Sequence, residues 1–119
     1  MYGLDKSVDL KFLVGKELLQ VCIGVYQVVL NFTAEISISI ESSCRLVCEG
    51  ERVFDLYAND PKSSKNLVCL LGLSIEDVLN EGRGEIRLFF SKKNTLTLMD
   101  NNANTESYMI VAPSIGIVV

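Results

Sequence analysis

A chain of 119 residues, 49% of them hydrophobic, can build a core of its own, so it needs neither a disulfide framework nor a metal staple. A charged fraction of 22% excludes intrinsic disorder as the class. A formal net charge of −4 disfavours nucleic-acid binding, which asks for a basic surface, and suits a partner that is itself basic. Residues 1–9 hold no basic n-region and no apolar stretch of signal-peptide length, and no apolar run approaches a membrane span. The expectation is a cytoplasmic protein without membrane contact, in which Cys22, Cys44, Cys48 and Cys69 are reduced thiols. The sequon Asn31-Phe32-Thr33 then carries no glycan.

Residues 9–14 read as a short helical turn or lead-in, and 16–23 as a first strand. Gly24-Val25 is a hairpin turn, and 26–32 a second strand with Tyr26, Val28, Leu30 and Phe32 on one face. After a turn at Thr33-Ala34-Glu35, the run Ile36-Ser37-Ile38-Ser39-Ile40-Glu41 is a half-buried strand with its isoleucines on one face. Ser42-Ser43 turns the chain into a strand over 44–48, where Cys44, Leu46 and Cys48 share a face. A turn at 49–52 leads to a short strand over 53–57. The polar stretch 58–65 is a hinge in which Asp60-Pro61 marks a helix entry, a capping carboxylate before a proline in the first helical position. One short helix is predicted over 61–71, stopped by Gly72. Strands follow over 74–79, 84–90, 95–100 and 106–112, and an apolar segment over 114–119.

The two halves say the same thing. Leu13-Val14-Gly15 is answered by Leu70-Leu71-Gly72, Val21 by Val78, and Phe32 by Phe90. The offset is 57 at the glycines and 58 at the phenylalanines, as a small loop insertion would produce. The reading is one domain over 1–119 with an internal pseudo-repeat, about 10–57 and 67–112, taken as a duplication. The fold class is mainly β: two antiparallel meander units forming a sandwich or a half-open barrel, plus the one helix.

Chemistry is sparse. No histidine is present, so no Ser-His or Cys-His nucleophile pair exists. Asp100, Asn102 and Asn104 match the first ligand positions of a calcium loop, but Thr105 stands where glycine is needed and Val111 where the bidentate glutamate is needed. An asparagine-rich turn is the better reading. Cys44 and Cys48 lack the tight two-residue spacing of a zinc knuckle, so the thiols read as core. Gly82-Arg83-Gly84 is not followed by a helix, which excludes a phosphate loop. No cofactor and no metal are expected. Glu41 and Asp100, at equivalent strand ends, are the one carboxylate pair that could support acid–base chemistry. Lys62, Lys65, Arg83, Arg87, Lys92 and Lys93, with Phe89, would make a modest basic patch if they shared a face; an ordinary solvated surface is favoured, and no nucleic-acid partner. Val29, Phe89, Met99, Met109 and Val111 fall opposite the main alternation, and Ile115, Ile117, Val118 and Val119 carry no charge. Surplus apolar surface of this kind points to a homodimer through sheet faces or edges, or to a protein partner.

With its Leu13-Val14-Gly15 opener, paired hairpins, Leu70-Leu71-Gly72 and the late Glu106-Ser107-Tyr108, the chain resembles, over about 10–113, a family of small uncharacterised bacterial proteins of immunity-protein-like character. That resemblance implies the paired-hairpin fold and a partner-binding role, and transfers no catalytic residue. The leading expectation is a non-enzymatic interaction domain, of the immunity type, that binds a basic toxin. Its partner-binding residues are drawn from the acidic set Glu35, Glu41, Glu49, Glu51, Asp55, Asp60, Glu76, Asp77, Glu81 and Asp100, with Glu35, Glu41, Glu49, Glu51 and Asp100 foremost. The alternatives are a small-ligand-binding β-domain with a pocket between its sheets, and a carboxylate-dependent enzyme.

Overall fold

Apolar residues spaced two apart can all be turned to one side of a pleated ribbon, and this chain uses its alternating runs in that way. The structure is a computed structural model that describes residues 9–80, 84–99, 107–113 and 115–118. Its strands are β1 (Leu18–Ile23), β2 (Val28–Phe32), β3 (Ile36–Ile40), β4 (Ser43–Cys48), β5 (Arg52–Tyr57), β6 (Ile75–Asn80), β7 (Ile86–Phe90), β8 (Asn94–Leu98), β9 (Tyr108–Ala112) and β10 (Ile115–Val118). They form two antiparallel sheets, ordered β1-β2-β3-β9-β10 and β5-β4-β8-β7-β6. Neither order closes on itself, so of the two expected architectures the chain adopts the sandwich.

The inward faces carry the period-two sets. Val28, Leu30 and Phe32, Ile36, Ile38 and Ile40, and Tyr108 and Ile110 line the first sheet. Cys44, Leu46 and Cys48, Ile86, Leu88 and Phe90, and Leu96 and Leu98 line the second; all of these are buried. The Tyr108 hydroxyl donates to the Gly84 carbonyl, so the one large polar group among them is satisfied inside the core.

Within the predicted units, 10–57 and 67–112, β1-β2-β3 and β6-β7-β8 are meanders, and the hairpins that follow them change sides. The β4-β5 hairpin pairs with β8, and the β9-β10 hairpin pairs with β3. Each half therefore completes the other half's sheet. Around the centre the backbone hydrogen bonds are reciprocal. The Gly15 N–H donates to the Ile75 carbonyl at 2.7 Å, and the Gly72 N–H to the Leu18 carbonyl at 2.9 Å. The Leu18 N–H donates to the Leu73 carbonyl at 3.0 Å, and the Ile75 N–H to the Lys16 carbonyl at 2.9 Å. Each member of these pairs is the other shifted by 57 positions, and the bridge of Glu17 to Ser74 sits between them at the same offset. Gly15 and Gly72 have φ of +87° and +82°, a conformation open to residues without a Cβ, which is why the Leu-x-Gly element closes on glycine twice. Phe32 and Phe90, one from each half, stack with ring centroids 6.4 Å apart. Both first strands carry an irregularity at the same place, between Leu18 and Gln20 and between Ile75 and Asp77.

Two expectations are corrected in detail. The helix predicted over 61–71 is one α turn, α1 (Pro61–Ser64), continued by a 3-10 segment, Lys65–Leu70. The entry is as read: Asp60 caps through its carboxylate, which accepts from the Lys62 N–H at 3.2 Å, with Pro61 in the first turn. The tightening to 3-10 follows from Leu67 and Leu70, both buried, since three residues per turn bring side chains at this spacing into line. Leu10 and Leu13 repeat the device at the 3-10 turn Lys11–Leu13. The second correction concerns Tyr26, which is not on the inner face of β2. It lies in a four-residue turn closed by the Gly24 N–H on the Gln27 carbonyl at 2.8 Å, and it is 75% exposed.

Candidate functional site

The acidic residues singled out in the sequence stand at the strand ends, where a carboxylate keeps its water. Glu35 closes the loop between β2 and β3, and Glu41 follows β3 at its other end, where it accepts from Gln27 Nε2 at 3.2 Å. Five residues of strand, roughly 17 Å at 3.3 Å each, separate these two ends. Glu49 and Glu51 share the turn between β4 and β5; the Glu49 N–H is held by Asn94 Oδ1 at 3.0 Å, which anchors this turn to the start of β8. All four are exposed. The structure brings Glu49 and Glu51 together and sets Glu35 and Glu41 at opposite ends of β3. Asp100, and with it the carboxylate pair to Glu41, lies outside the described residues, as do the calcium-like loop 101–106, Glu81, Gly82 and Arg83.

The outward faces carry the surplus apolar residues. Val29, Phe89, Met99 and Met109 are half-buried and Val111 is exposed. The 3-10 turns and α1 pack on β1, β4, β5 and β6, around the sides of the sandwich. On the second sheet the outward side chains form rows across the strands. Asp55, Arg45, Thr97, Arg87 and Leu79 are neighbours on β5, β4, β8, β7 and β6. Val53, Val47, Thr95, Phe89 and Asp77 form the next row.

Over these rows lies a shallow recess of about 280 Å³, lined by Arg45, Val47, Glu85, Arg87, Phe89, Thr95, Thr97 and Met99. Arg45 and Arg87 are the cross-strand neighbours of Thr97 on its two sides. Arg45 is tied to Asp55 by an Nε–Oδ1 contact of 2.8 Å. That hydrogen bond, and then the charge of Asp55, push the Arg45 pKa above its ordinary value. The recess is on the outside of a sheet, not between the sheets where the ligand-binding alternative had placed its pocket. Phe89 and Arg87 were singled out in the sequence. Arg45, Thr95 and Thr97 were not: their alternation places them outward, the β7-β8 hairpin sets the two threonines beside Arg87 and Phe89, and only the pairing of β4 with β8 adds Arg45. The remaining basic residues are scattered, with Lys62 on α1, Lys65 at the start of the 3-10 segment, and Lys92 and Lys93 in the turn after β7.

Among the described residues no group of three or more His, Cys, Asp or Glu side chains is placed to hold a metal ion. The thiols divide by environment. Cys44 is buried, and loss of water pushes its pKa up to about 12. Cys48 is buried at the end of β4, and its sulfur lies 3.2 Å from that of Cys69, which is exposed on the 3-10 segment. Partial burial, and then the hydrogen bond with Cys48, push the Cys69 pKa up to about 12. Cys22 is exposed on β1, with Asn31 Nδ2 at 3.7 Å.

Comparison with protein-family models, with curated proteins and with solved structures gives no match for this chain. What the geometry defines is a class by fold, an antiparallel β-sandwich of two hairpin-exchanging halves. No helix among the described residues is long and apolar enough to cross a membrane.

Proposed function

We propose that this protein is a non-enzymatic interaction domain that binds a protein partner with a basic surface, in the manner of an immunity protein against a basic toxin. The observation that carries the reading is apolar matter on both outward faces: half-buried Val29 and Met109 with exposed Val111 on the first sheet, and half-buried Phe89 and Met99 on the second. Either face gains by being covered, and the net charge of −4 steers the chain toward a basic surface. The exposed carboxylates Glu49 and Glu51, on one anchored turn, are the acidic pair best placed to act together, with Glu35 and Glu41 contributing at their own ends. Homodimerisation through the same faces or edges is the other occupant of this surface, and a cytoplasmic setting suits both.

The test is capture of the tagged chain from lysate of its source at low and high salt, beside a Glu49→Lys, Glu51→Lys variant and a Phe89→Asp variant. The expected result is one stoichiometric basic partner, lost at high salt and weakened in both variants. Recovery of the chain alone overturns the reading, and light scattering on that material then tests the homodimer. A second reading is favoured by the recess between Arg45 and Arg87, where the guanidinium groups, the Glu85 carboxylate and the Thr95 and Thr97 hydroxyls suit a small polar ligand.

A further inference from the structure

The side chains of Cys48 and Cys69 meet although 21 positions separate them in the sequence. Cys48 ends β4 and is 3% exposed, while Cys69 stands on the 3-10 segment Lys65–Leu70 with its side chain open to solvent. The two sulfurs are 3.2 Å apart, so a bond of about 2.05 Å needs them to close by roughly 1.2 Å. Neither Cys22 nor Cys44 has another sulfur within hydrogen-bonding reach among the described residues. The pair joins the rim of the second sheet to the segment that links the two halves of the chain.

We infer that Cys48 and Cys69 form a reversible dithiol–disulfide site, oxidised by low-molecular-weight disulfides. The roles follow from exposure. Cys69, as thiolate, attacks one sulfur of the small disulfide; that S–S bond breaks, one small thiolate leaves, and a mixed disulfide stands on Cys69. Cys48 then gives up its proton and attacks the Cys69 sulfur, breaking the mixed disulfide and expelling the second small thiolate. Two electrons pass from the protein to the small disulfide, and the two protons from the protein thiols go to the two released thiols. The product ties the end of β4 to the 3-10 segment, next to the acidic turn that carries Glu49 and Glu51. This site stands independently of the interaction reading above.

The raised pKa of Cys69 sets the pace of the first step. The thiolate is the nucleophile, and at neutral pH little of it is present, so oxidation is slow there and accelerates about tenfold per pH unit as the thiolate fraction rises. Arg52, whose charge favours the thiolate, and Glu49, whose charge opposes it, are the charged neighbours that act on this thiol.

The experiment uses the full chain carrying Cys22→Ser, which removes the other exposed thiol. It is incubated with oxidised glutathione from pH 7 to 9 and read by intact mass and non-reducing peptide mapping. The expected product has lost the mass of two hydrogens, links the Cys48 and Cys69 peptides, and returns to the dithiol with reductant. Adding Cys48→Ser should arrest the reaction at a single glutathionyl adduct on Cys69, and adding Cys69→Ser should abolish it. A stable adduct on Cys69 with Cys48 intact, a link between any other two cysteines, or no reaction up to pH 9 would each overturn the inference.

Discussion

Leu46 is fully buried at the middle of β4, opposite Phe54 on β5 and Leu96 on β8. Replacing it with alanine removes the outer carbons of the side chain from a site closed on both sides, at a cost of about 3 kcal/mol. The topology decides where that loss is felt. The β4-β5 hairpin comes from the first half of the chain but supports β8 in the second sheet. In return β9, from the second half, supports β3 in the first. Opening one sheet strips a partner from the other, so Leu46→Ala should weaken both sheets equally. In native-state hydrogen exchange the protected amides of β2 and of β7 should each lose protection on the order of a hundredfold, since about 1.4 kcal/mol corresponds to a factor of ten. Guanidinium unfolding should shift its midpoint with an unchanged slope. If β7 amides lose protection while β2 amides keep theirs, the sheets open independently and the interlock has no energetic meaning.

Ala34 and Lys92 occupy the same place in the two halves, in the left-handed region with φ of 62° and 61°, where a side chain costs about 1–2 kcal/mol. Ala34→Gly and Lys92→Gly should each stabilise the fold by about 0.5–1 kcal/mol after the entropic cost of glycine, read by chemical unfolding; a loss of stability would refute this. Cys44, with its pKa raised from 9.0 to about 12 by burial, predicts a pH dependence. Below pH 9 its thiol is protonated in both folded and unfolded chains, so its contribution is flat. Between pH 9 and 12 the unfolded chain releases the proton and the folded chain retains it. Stability should therefore fall by about 1.4 kcal/mol per pH unit across that window. Cys44→Ala should remove this part of the alkaline slope, and equal slopes in the two proteins would contradict the assignment.

Much of the fold was legible because it is local. The isoleucines at 36, 38 and 40 and the leucines at 96 and 98 could pack only as strands with one dry face, and the structure buries all five. Asp60 before Pro61 announced a helix entry, and the structure caps it there. The 3-10 form of the following segment was less visible, since leucines three apart suit either helix. The acidic candidates were readable as exposed strand-end residues, but not their grouping: Glu49 and Glu51 share a turn by sequence, whereas the separation of Glu35 from Glu41 depends on the length and direction of β3. Of the recess, Arg87 and Phe89 were legible as candidates, but not their meeting with Arg45, because the two arginines sit on strands that never adjoin in sequence.

By itself the sequence determined the strands, their inward faces and the Leu-x-Gly element that opens both halves, because each depends on neighbours only a few residues apart. Which strands pair is a matter of the whole fold. Ile36, Ile38 and Ile40, then Cys44, Leu46 and Cys48, are buried, so the apolar residues keep to even positions on both sides of residues 41–43 whether these form a hairpin loop or a corner into the facing sheet, and the alternation is silent on that choice. The free edge of β3 is taken by β9, which returns from the far end of the chain, and β4 turns away to the edge of β8. Competition between partners for an edge is a property of the whole molecule, and the contact of Cys48 with Cys69 follows from its outcome.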